Sequence, residues 1–380
     1  MTNIKLLNKI AKCGTDIFDK SKYTVAEEVN DAAAIMVRSA SMHEMEFDKS
    51  LLAIARAGAG VNNIPLDKCA EEGIVVFNTP GANANAVKEL AILALLMSCR
   101  KVTDAIDWAK TLTDNEDIAK AVEKGKSAFV GPEIYGKTLG IIGLGAIGAM
   151  VANAAISLGM NVIGYDPYLS VKAALSLNPN TKTTTDLNEV FANADFISLH
   201  VPSTPSTKGM INSDAILKMK DGVRIINLAR ADLVDSESMK SALDNGKVAT
   251  YVTDFPNNSL CVYKNVIAIP HLGASTPESE DNCAIMAAKE LVEFIENGNV
   301  INSVNYPNVS VPMSANPRIT VLYKANDDAI ANISSIASPV SIASAVRGNY
   351  GYAILDVKDG AVANKIDNLE FVIRTRVING

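Results

Sequence analysis

An α/β fold containing a doubly wound parallel sheet is what this sequence predicts, and three observations carry the prediction. From Thr138 onward, apolar strands without period-two alternation are separated by helices, the pattern of a parallel sheet buried on both faces. A glycine-rich turn stands between the first of those strands and its helix. The chain has 380 residues, too many for one ordinary core, and its 48% hydrophobic and 20% charged residues are those of a globular protein.

The elements follow in order. In the first ninety residues β-like runs alternate with helical ones, and "AAIMVRS" and "GIVVFNT" read as strands bounded by Gly, Asn and Pro. From Asn85, "AVKELAILALLMSCRKV" is a helix apolar on more than one side, and so deeply packed. A polar stretch covers about residues 111–130. The parallel strands are "TLGIIGL", "NVIGYD", "ADFISLHVP", "VRIINLA", "VATYVTDF" and "NVIAIPH". "SEDNCAIMAAKELVEFIENG" is one helix, capped at Asn297-Gly298. Residues 302–317 carry three prolines and many small polar residues and read as a linker. From Arg318, the strand "RITVLYK", the helix-like "DDAIANISSIAS" and the strands "YGYAILDVKDG" and "VIRTRVI", with a short second helix at "VANKIDN", give a β-α-β-β order that predicts a small α+β module.

Composition narrows the function. A formal net charge of −7 and a pI near 5.2 argue against nucleic acid, though a small anion needs only a few local cations. The longest apolar run, "LAILALLMSC", is too short for a membrane crossing, so no membrane partner is expected. The N-terminus lacks a signal-like apolar core, and the five cysteines form no CxxC pair. Reduced thiols and a cytoplasmic location are the expectation, with no metal.

The sharpest motif is "GIIGLGAIGAMVANAAISLGMNVIGYD". Gly143, Gly145 and Gly148 form G-x-G-x-x-G directly after a strand and at a helix opening, the context a dinucleotide requires. Gly143 permits a tight turn, Gly145 a close approach of pyrophosphate, and Gly148 close packing of helix on strand. Asp166 ends the next strand, where a carboxylate accepts from a ribose 2′-OH and repels a 2′-phosphate. NAD is therefore expected over NADP.

Redox chemistry on an alcohol needs a base and a cation for the substrate's carboxylate. Only three histidines are present. His43 reads as a surface residue, and His200 either borders a cofactor cleft or is structural. His271 and Arg230 both follow strands at the edge where open α/β sheets place their sites. Arg38, Arg56 (followed by Gly58) and Lys126 are further cations that together suit a doubly charged phosphate.

On these residues the chain resembles the D-isomer-specific 2-hydroxyacid dehydrogenases. "VRSAS", "RAGAGVNNI", "VFNTPGANANAVKEL", "GKTLGIIGLGAIG", "MKDGVRIINLAR", "NVIAIPHLGAST" and "NSVNYP" carry the likeness over roughly residues 30–307. The tail resembles an ACT domain less specifically. The resemblance implies a discontinuous, flavodoxin-like substrate domain (residues 1–92 and 278–301) and a Rossmann-type NAD domain (93–277). The linker (302–317) and an ACT-like regulatory domain (318–380) would follow. It implies NAD-dependent oxidation of a phosphorylated 2-hydroxy acid, 3-phosphoglycerate, at the start of serine biosynthesis; glycerate or hydroxypyruvate is the runner-up. A binding scaffold with weak catalysis is the alternative from another class.

Residue by residue, the resemblance makes Arg230 the holder of the substrate carboxylate and His271 the proton shuttle. Asp254 would meet the nicotinamide carboxamide. Ala146, Ile147, Val201, Leu228, Ala229, Gly273 and Ala274 would contact the cofactor. A homodimer or homotetramer is expected, with residues 86–99 able to pack at a subunit contact. The chain departs from the family at three places. Asn258 or Ser259 stands where a glutamate would orient the histidine, and Asn258 is taken as its replacement. Arg230-Ala231-Asp232 replaces Arg-Gly-Gly, and "KANDDAIANI" lacks the usual ligand turn of an ACT domain.

Overall fold

Five short runs in the N-terminal segment form a parallel sheet: β1 (Thr2–Leu6), β2 (Tyr23–Ala26), β3 (Ala34–Val37), β4 (Ala53–Arg56) and β5 (Val75–Asn78), in the order β2-β1-β3-β4-β5. Every residue of β3 is buried, so this sheet too is covered on both faces. The structure is a computed structural model that describes residues 1–379. It divides into two units, Met1–Asn83 with the chain from Thr276 onward, and Ala84–Ser275.

The second unit carries the predicted alternation. Its strands are β6 (Thr138–Ile142), β7 (Asn161–Tyr165), β8 (Lys182–Thr184), β9 (Phe196–Leu199), β10 (Val223–Asn227), β11 (Val248–Thr253) and β12 (Val266–Ala268). All are parallel, in the order β12-β11-β10-β9-β6-β7-β8. The chain leaves β6 in one direction and returns to its other side at β9. That reversal opens a crevice at the carboxyl ends of β6 and β9, where doubly wound sheets bind ligands.

The helix Ala84–Arg100 belongs wholly to this unit. Ala91, Ala94 and Leu95 share a core with Val151, Ala152 and Ala155 of the helix Ala146–Ser157. The boundary therefore falls before Ala84, not within the helix. After a helix at Val102–Lys110, the stretch read as polar (111–130) holds the helix Ile118–Gly125 and a 3-10 turn at Lys126–Phe129, and none of the three has a buried residue. Its charges hid an amphipathic pattern. Asp117 caps the second helix by accepting from the Lys120 N–H at 3.1 Å.

From Thr276 the chain returns to the first unit. The helix Pro277–Asn297 is capped by Thr276, whose hydroxyl accepts from Ser279 N–H at 3.1 Å, and ends at Gly298 with φ +71°. Its buried face, including Ala284, Ala287, Leu291 and Phe294, lies on the N-terminal sheet. The α+β module forms with one strand more than expected, β14: β13 (Arg318–Lys324), a helix Ala329–Ala337, β14 (Ser341–Arg347), β15 (Tyr350–Asp356), a short helix Ala363–Ile366 and β16 (Val372–Ile378). The sheet is antiparallel, ordered β14-β15-β13-β16.

Ile319, Val321, Ala353 and Leu355 on one face of this sheet pack on the module's own helices. Leu322, Tyr352 and Ile354 on the other join the core that contains Phe77, Leu291 and Phe294. The module thus clusters with the N-terminal sheet, although the sequence suggested a separate body. Residues 302–317 are an anchored strap rather than a loose spacer. Tyr306 is fully buried and donates to the Ala70 carbonyl at 2.6 Å, and Val309 pairs with Val300. Proline and asparagine content signals irregular backbone, not whether its side chains are buried.

Among the described residues all five cysteines are unpaired, and no helix is long and apolar enough to cross a membrane.

Candidate active site

The glycine loop shows why each glycine is required. Gly143 has φ +94°, and a Cβ there would lie 2.6 Å from the His200 carbonyl oxygen and 2.8 Å from Val201 Cγ1. A Cβ on Gly148 would lie 1.9 Å from the Gly143 carbonyl, so only glycine lets the helix close on the strand. At Gly145, the N-cap residue, the Cβ position meets nothing within 4 Å. Backbone is therefore open to a ligand beside the N–H groups of Ala146, Ile147 and Gly148, which a helix start leaves without intrahelical partners.

Asp166, at the end of β7, fixes this loop. One carboxylate oxygen accepts from Leu144 N–H and the other from Tyr168 N–H, each at 2.9 Å. A carboxylate retains lone pairs beyond those two bonds, so a ribose hydroxyl can still be received. His200 is committed to structure. Its N–H donates to the Ile142 carbonyl, its ring Nε2 lies 2.8 Å from Ser198 Oγ, and burial pushes its pKa down to about 4. It stays neutral near pH 7, which removes it as a proton shuttle.

Arg230, Asp254 and His271 follow β10, β11 and β12, three adjacent strands of one sheet. Asp254 is 1% exposed, and neither carboxylate oxygen has a hydrogen-bond partner among the described residues. Burial raises its pKa, while attraction to His271 first, the nearby backbone N–H groups of Asp254 and Gly273 next, and Arg230 last oppose the rise. A buried carboxylate with open acceptors is costly unless a donor arrives, and a carboxamide N–H₂ is such a donor. The tight space around it is set by Gly273, whose Cβ position is 3.6 Å from Asp254 Oδ2 and 3.4 Å from Val87 Cγ2. Leu228 is buried and Ala229 and Ala274 are half-buried in the same turns.

His271 is exposed, and its ring packs on Phe255 with centroids 4.9 Å apart. Asn258 is exposed, and no hydrogen bond joins it to His271 among the described residues. Its neighbour Asn257 instead makes the turn, accepting from Ser259 N–H at 3.1 Å and Leu260 N–H at 3.0 Å. The carboxylate that interacts with His271 is Asp254, not a residue of the 257–259 turn. Asp232 is held by Ser203, whose hydroxyl donates to it at 2.6 Å.

Sequence reasoning missed Asn227. It is fully buried at the end of β10, and its amide bonds to Ala229 N–H, the Arg230 carbonyl and Tyr251 Oη. The available signal was a polar residue closing the apolar run "VRIIN" before an arginine loop.

In the first unit Arg38 pairs with Glu280 at 2.7 Å, and Arg56 Nε donates to the Arg38 carbonyl at 3.0 Å. Gly58, with φ +147°, makes room for Arg56: a Cβ would sit 1.7 Å from its Nη1. The Asn8 side chain holds the Arg38 turn by accepting from the N–H groups of Arg38, Ser39 and Ala40. Lys126 belongs to the second unit, exposed and paired with Glu123 one turn earlier. His43 is exposed and bonded to the Asn62 carbonyl at 2.9 Å. Among the described residues no cluster of three or more His, Cys, Asp or Glu side chains is placed to hold a metal ion.

Comparison with known proteins agrees with this geometry. Residues 92–273 match the family described as D-isomer specific 2-hydroxyacid dehydrogenase, NAD binding domain. The chain is 36% identical over 316 residues to D-3-phosphoglycerate dehydrogenase of Bacillus subtilis, covering 81% of this chain and 58% of that protein. The chain therefore spans little more than half the length of this curated relative, and the same holds for those of Methanocaldococcus jannaschii (55%) and Synechocystis (57%). A solved structure of NAD+-bound 3-phosphoglycerate dehydrogenase from Entamoeba histolytica superposes with a TM-score of 0.62 at 28% identity, covering 80% of this chain and 98% of that one. With the glycine loop, Asp166 and the open Asp254 carboxylate in place, residues 92–273 form the NAD binding domain of the D-isomer specific 2-hydroxyacid dehydrogenases.

Proposed function

We propose that the chain is an NAD-dependent oxidoreductase acting on the CH–OH group of a D-2-hydroxy acid. The observation that carries this reading is the buried Asp254 carboxylate, unpartnered and in electrostatic contact with Arg230 and His271 at one sheet edge. Asp254 would accept from the carboxamide, Asp166 from the adenosine ribose, and the first turn at Gly145 would hold the pyrophosphate. Bound NAD supplies the acceptor for the hydride that leaves C2 of the substrate.

The chain's own groups do the rest. Arg230 offers a bidentate fork to the substrate carboxylate and so fixes C2 and its hydroxyl. His271 takes the hydroxyl proton as the C2–O bond becomes a carbonyl, and returns it in the reverse direction. The negative charge of Asp254 stabilises the imidazolium that forms, a task the exposed Asn258 does not perform.

For substrate we propose 3-phosphoglycerate, oxidised to 3-phosphohydroxypyruvate at the start of serine biosynthesis. The names of the curated relatives and the presence of Arg38 and Arg56 support it. Non-phosphorylated hydroxypyruvate or glyoxylate is the second reading. A glyoxylate reductase from Paecilomyes thermophila superposes with a TM-score of 0.66 at 27% identity, over 80% of this chain and 98% of that one. We further propose a cytoplasmic homo-oligomer. The helices Val102–Lys110 and Ile118–Gly125 expose Val102, Ile106, Ile118 and Val122, an apolar set that a second copy would cover.

The test is NADH oxidation with 3-phosphohydroxypyruvate, with hydroxypyruvate, and with neither, beside NADH binding by fluorescence. The proposal expects the phosphorylated keto acid to turn over fastest. Binding without turnover of any 2-keto acid would point to a scaffold, and equal rates on both acids would remove the phosphate assignment of Arg38 and Arg56.

A further inference from the structure

We propose that Asn227 is a positioning residue that sets the backbone of Arg230 and hence the direction of its guanidinium. The inference rests on the reading of Arg230 as the carboxylate holder. Asn227 is 0% exposed, the last residue of β10, and makes no contact that substrate or cofactor would need. Its Oδ1 accepts from Ala229 N–H at 3.2 Å, while Nδ2 donates to the Arg230 carbonyl at 2.9 Å and lies 3.3 Å from Tyr251 Oη. One amide thus pins both peptide groups that flank the Ala229–Arg230 link and ties them sideways to β11.

The orientation of that amide is not interchangeable. Turned over, it would set an N–H₂ against the Ala229 N–H and an oxygen against the Arg230 carbonyl, losing both bonds in a buried place. Both hydrogens on Nδ2 have acceptors and Oδ1 has its donor, so the side chain is held in one state. Arg230 depends on this support more than a core residue would. It is exposed, and the hydrogen bond seen from its guanidinium is to the Ala229 carbonyl, in the peptide link that lies between the two groups Asn227 holds. A loose Arg230 backbone would swing the fork away from the line of the C2 substituents.

Asn227→Asp keeps the shape but removes the donors, facing a carboxylate oxygen to the Arg230 carbonyl. It is compared with Arg230→Gln and with the double variant, using the 2-keto acid that the chain reduces fastest. The expected result is a rise in KM for the keto acid of about 10- to 100-fold, the scale of a 1 Å misplacement, with NADH affinity unchanged. Added to Arg230→Gln, the substitution should cost nothing further, because it acts through the same group.

A keto-acid KM for Asn227→Asp equal to wild type overturns the inference, as does a double variant whose loss is the product of the two single losses. Both results leave the role of Arg230 intact. A wild-type KM in Arg230→Gln, or a chain that reduces no 2-keto acid, overturns the Arg230 reading and this inference with it. Should Asn227→Asp not fold, Asn227→Ser removes the amide without adding charge and is read in the same way.

Discussion

The two units secure their functional edges differently. In the second unit five of the candidate residues sit one to three positions beyond a strand of the same sheet: Gly143 after β6, Asp166 after β7, Arg230 after β10, Asp254 after β11 and His271 after β12. In the first unit cohesion runs between segments remote in sequence, through arginine side chains that cap backbone carbonyls. Arg374 reaches the Leu51, Lys49 and Glu72 carbonyls, Arg376 those of Phe294 and Ile295, and Arg347 that of Ser303. Arg318, 0% exposed, bonds to Asp356 at 2.9 Å and to the carbonyls of Asn297, Val311 and Pro312. Chemistry in one unit is built from local sequence; integrity in the other is built from long-range donors.

The largest break in that comparison should come from Arg318→Ala. It strands the buried Asp356 carboxylate and three carbonyls, and should cost about 3–5 kcal/mol of stability. Denaturant unfolding checks the cost, and NADH affinity, a property of the second unit, should stay at wild type while the chain is folded. A variant as stable as wild type would mean the arginine lattice is not what joins the module to the sheet.

Buried titratable groups separate the units by the sign of their pH dependence. In the first unit Glu290, 5% exposed, accepts from Asn302 Nδ2 at 2.7 Å but leaves Oε2 unpartnered, and burial pushes its pKa up to about 8. The native state then holds a proton that the unfolded state gives up near the ordinary carboxylate value. Stability is lost as pH rises from about 5 to about 8, by a few kcal/mol in all. Glu290→Gln should flatten that slope in melting temperatures taken between pH 5 and 9.

His200 in the second unit works in reverse. Its pKa is pushed down to about 4, so the unfolded state binds the proton first and stability falls as pH drops from about 6.5 to about 4. His200→Asn should remove this loss, about 3 kcal/mol at most for a shift of that size. Identical acid-limb profiles in the variant and wild type would show that the ring is not buried neutral.

The smallest effect belongs to Asp232. Its carboxylate is engaged by Ser203, so its charge is partly occupied beside Arg230. Asp232→Gly should change the keto-acid KM by no more than about threefold, the scale of a screened surface charge. A larger gain in affinity would show that Asp232 competes with the substrate for Arg230.

Much of the second unit was legible because its signals are local. A glycine at φ +94° and a strand that stops at an aspartate leave their marks within a few residues. β1, β2 and β8 were harder to name one by one, since β8 is three residues of "KTT" with no apolar run, and "TNIKL" alternates only briefly. The strap at 302–317 was read by its prolines and asparagines, yet Tyr306 and Val309 are core residues supplied with partners from far along the chain. Asn227 escaped notice because an asparagine's value lies in the three groups it touches, two of them in a loop whose shape the sequence does not state. Spacing after Asp254 is the one signal for Asn258, and beside the turn that Asn257 makes it is exposed.

In the proposed function His271 moves the substrate's proton, while Asp254 and the glycine loop hold the cofactor independently of it. Keto-acid reduction by His271→Ala, measured beside its NADH affinity, tests it most directly. The expected result is a loss of turnover of at least about 100-fold, the usual weight of a general acid–base group, with NADH bound as tightly as by wild type. Turnover unchanged in a folded His271→Ala variant would contradict it.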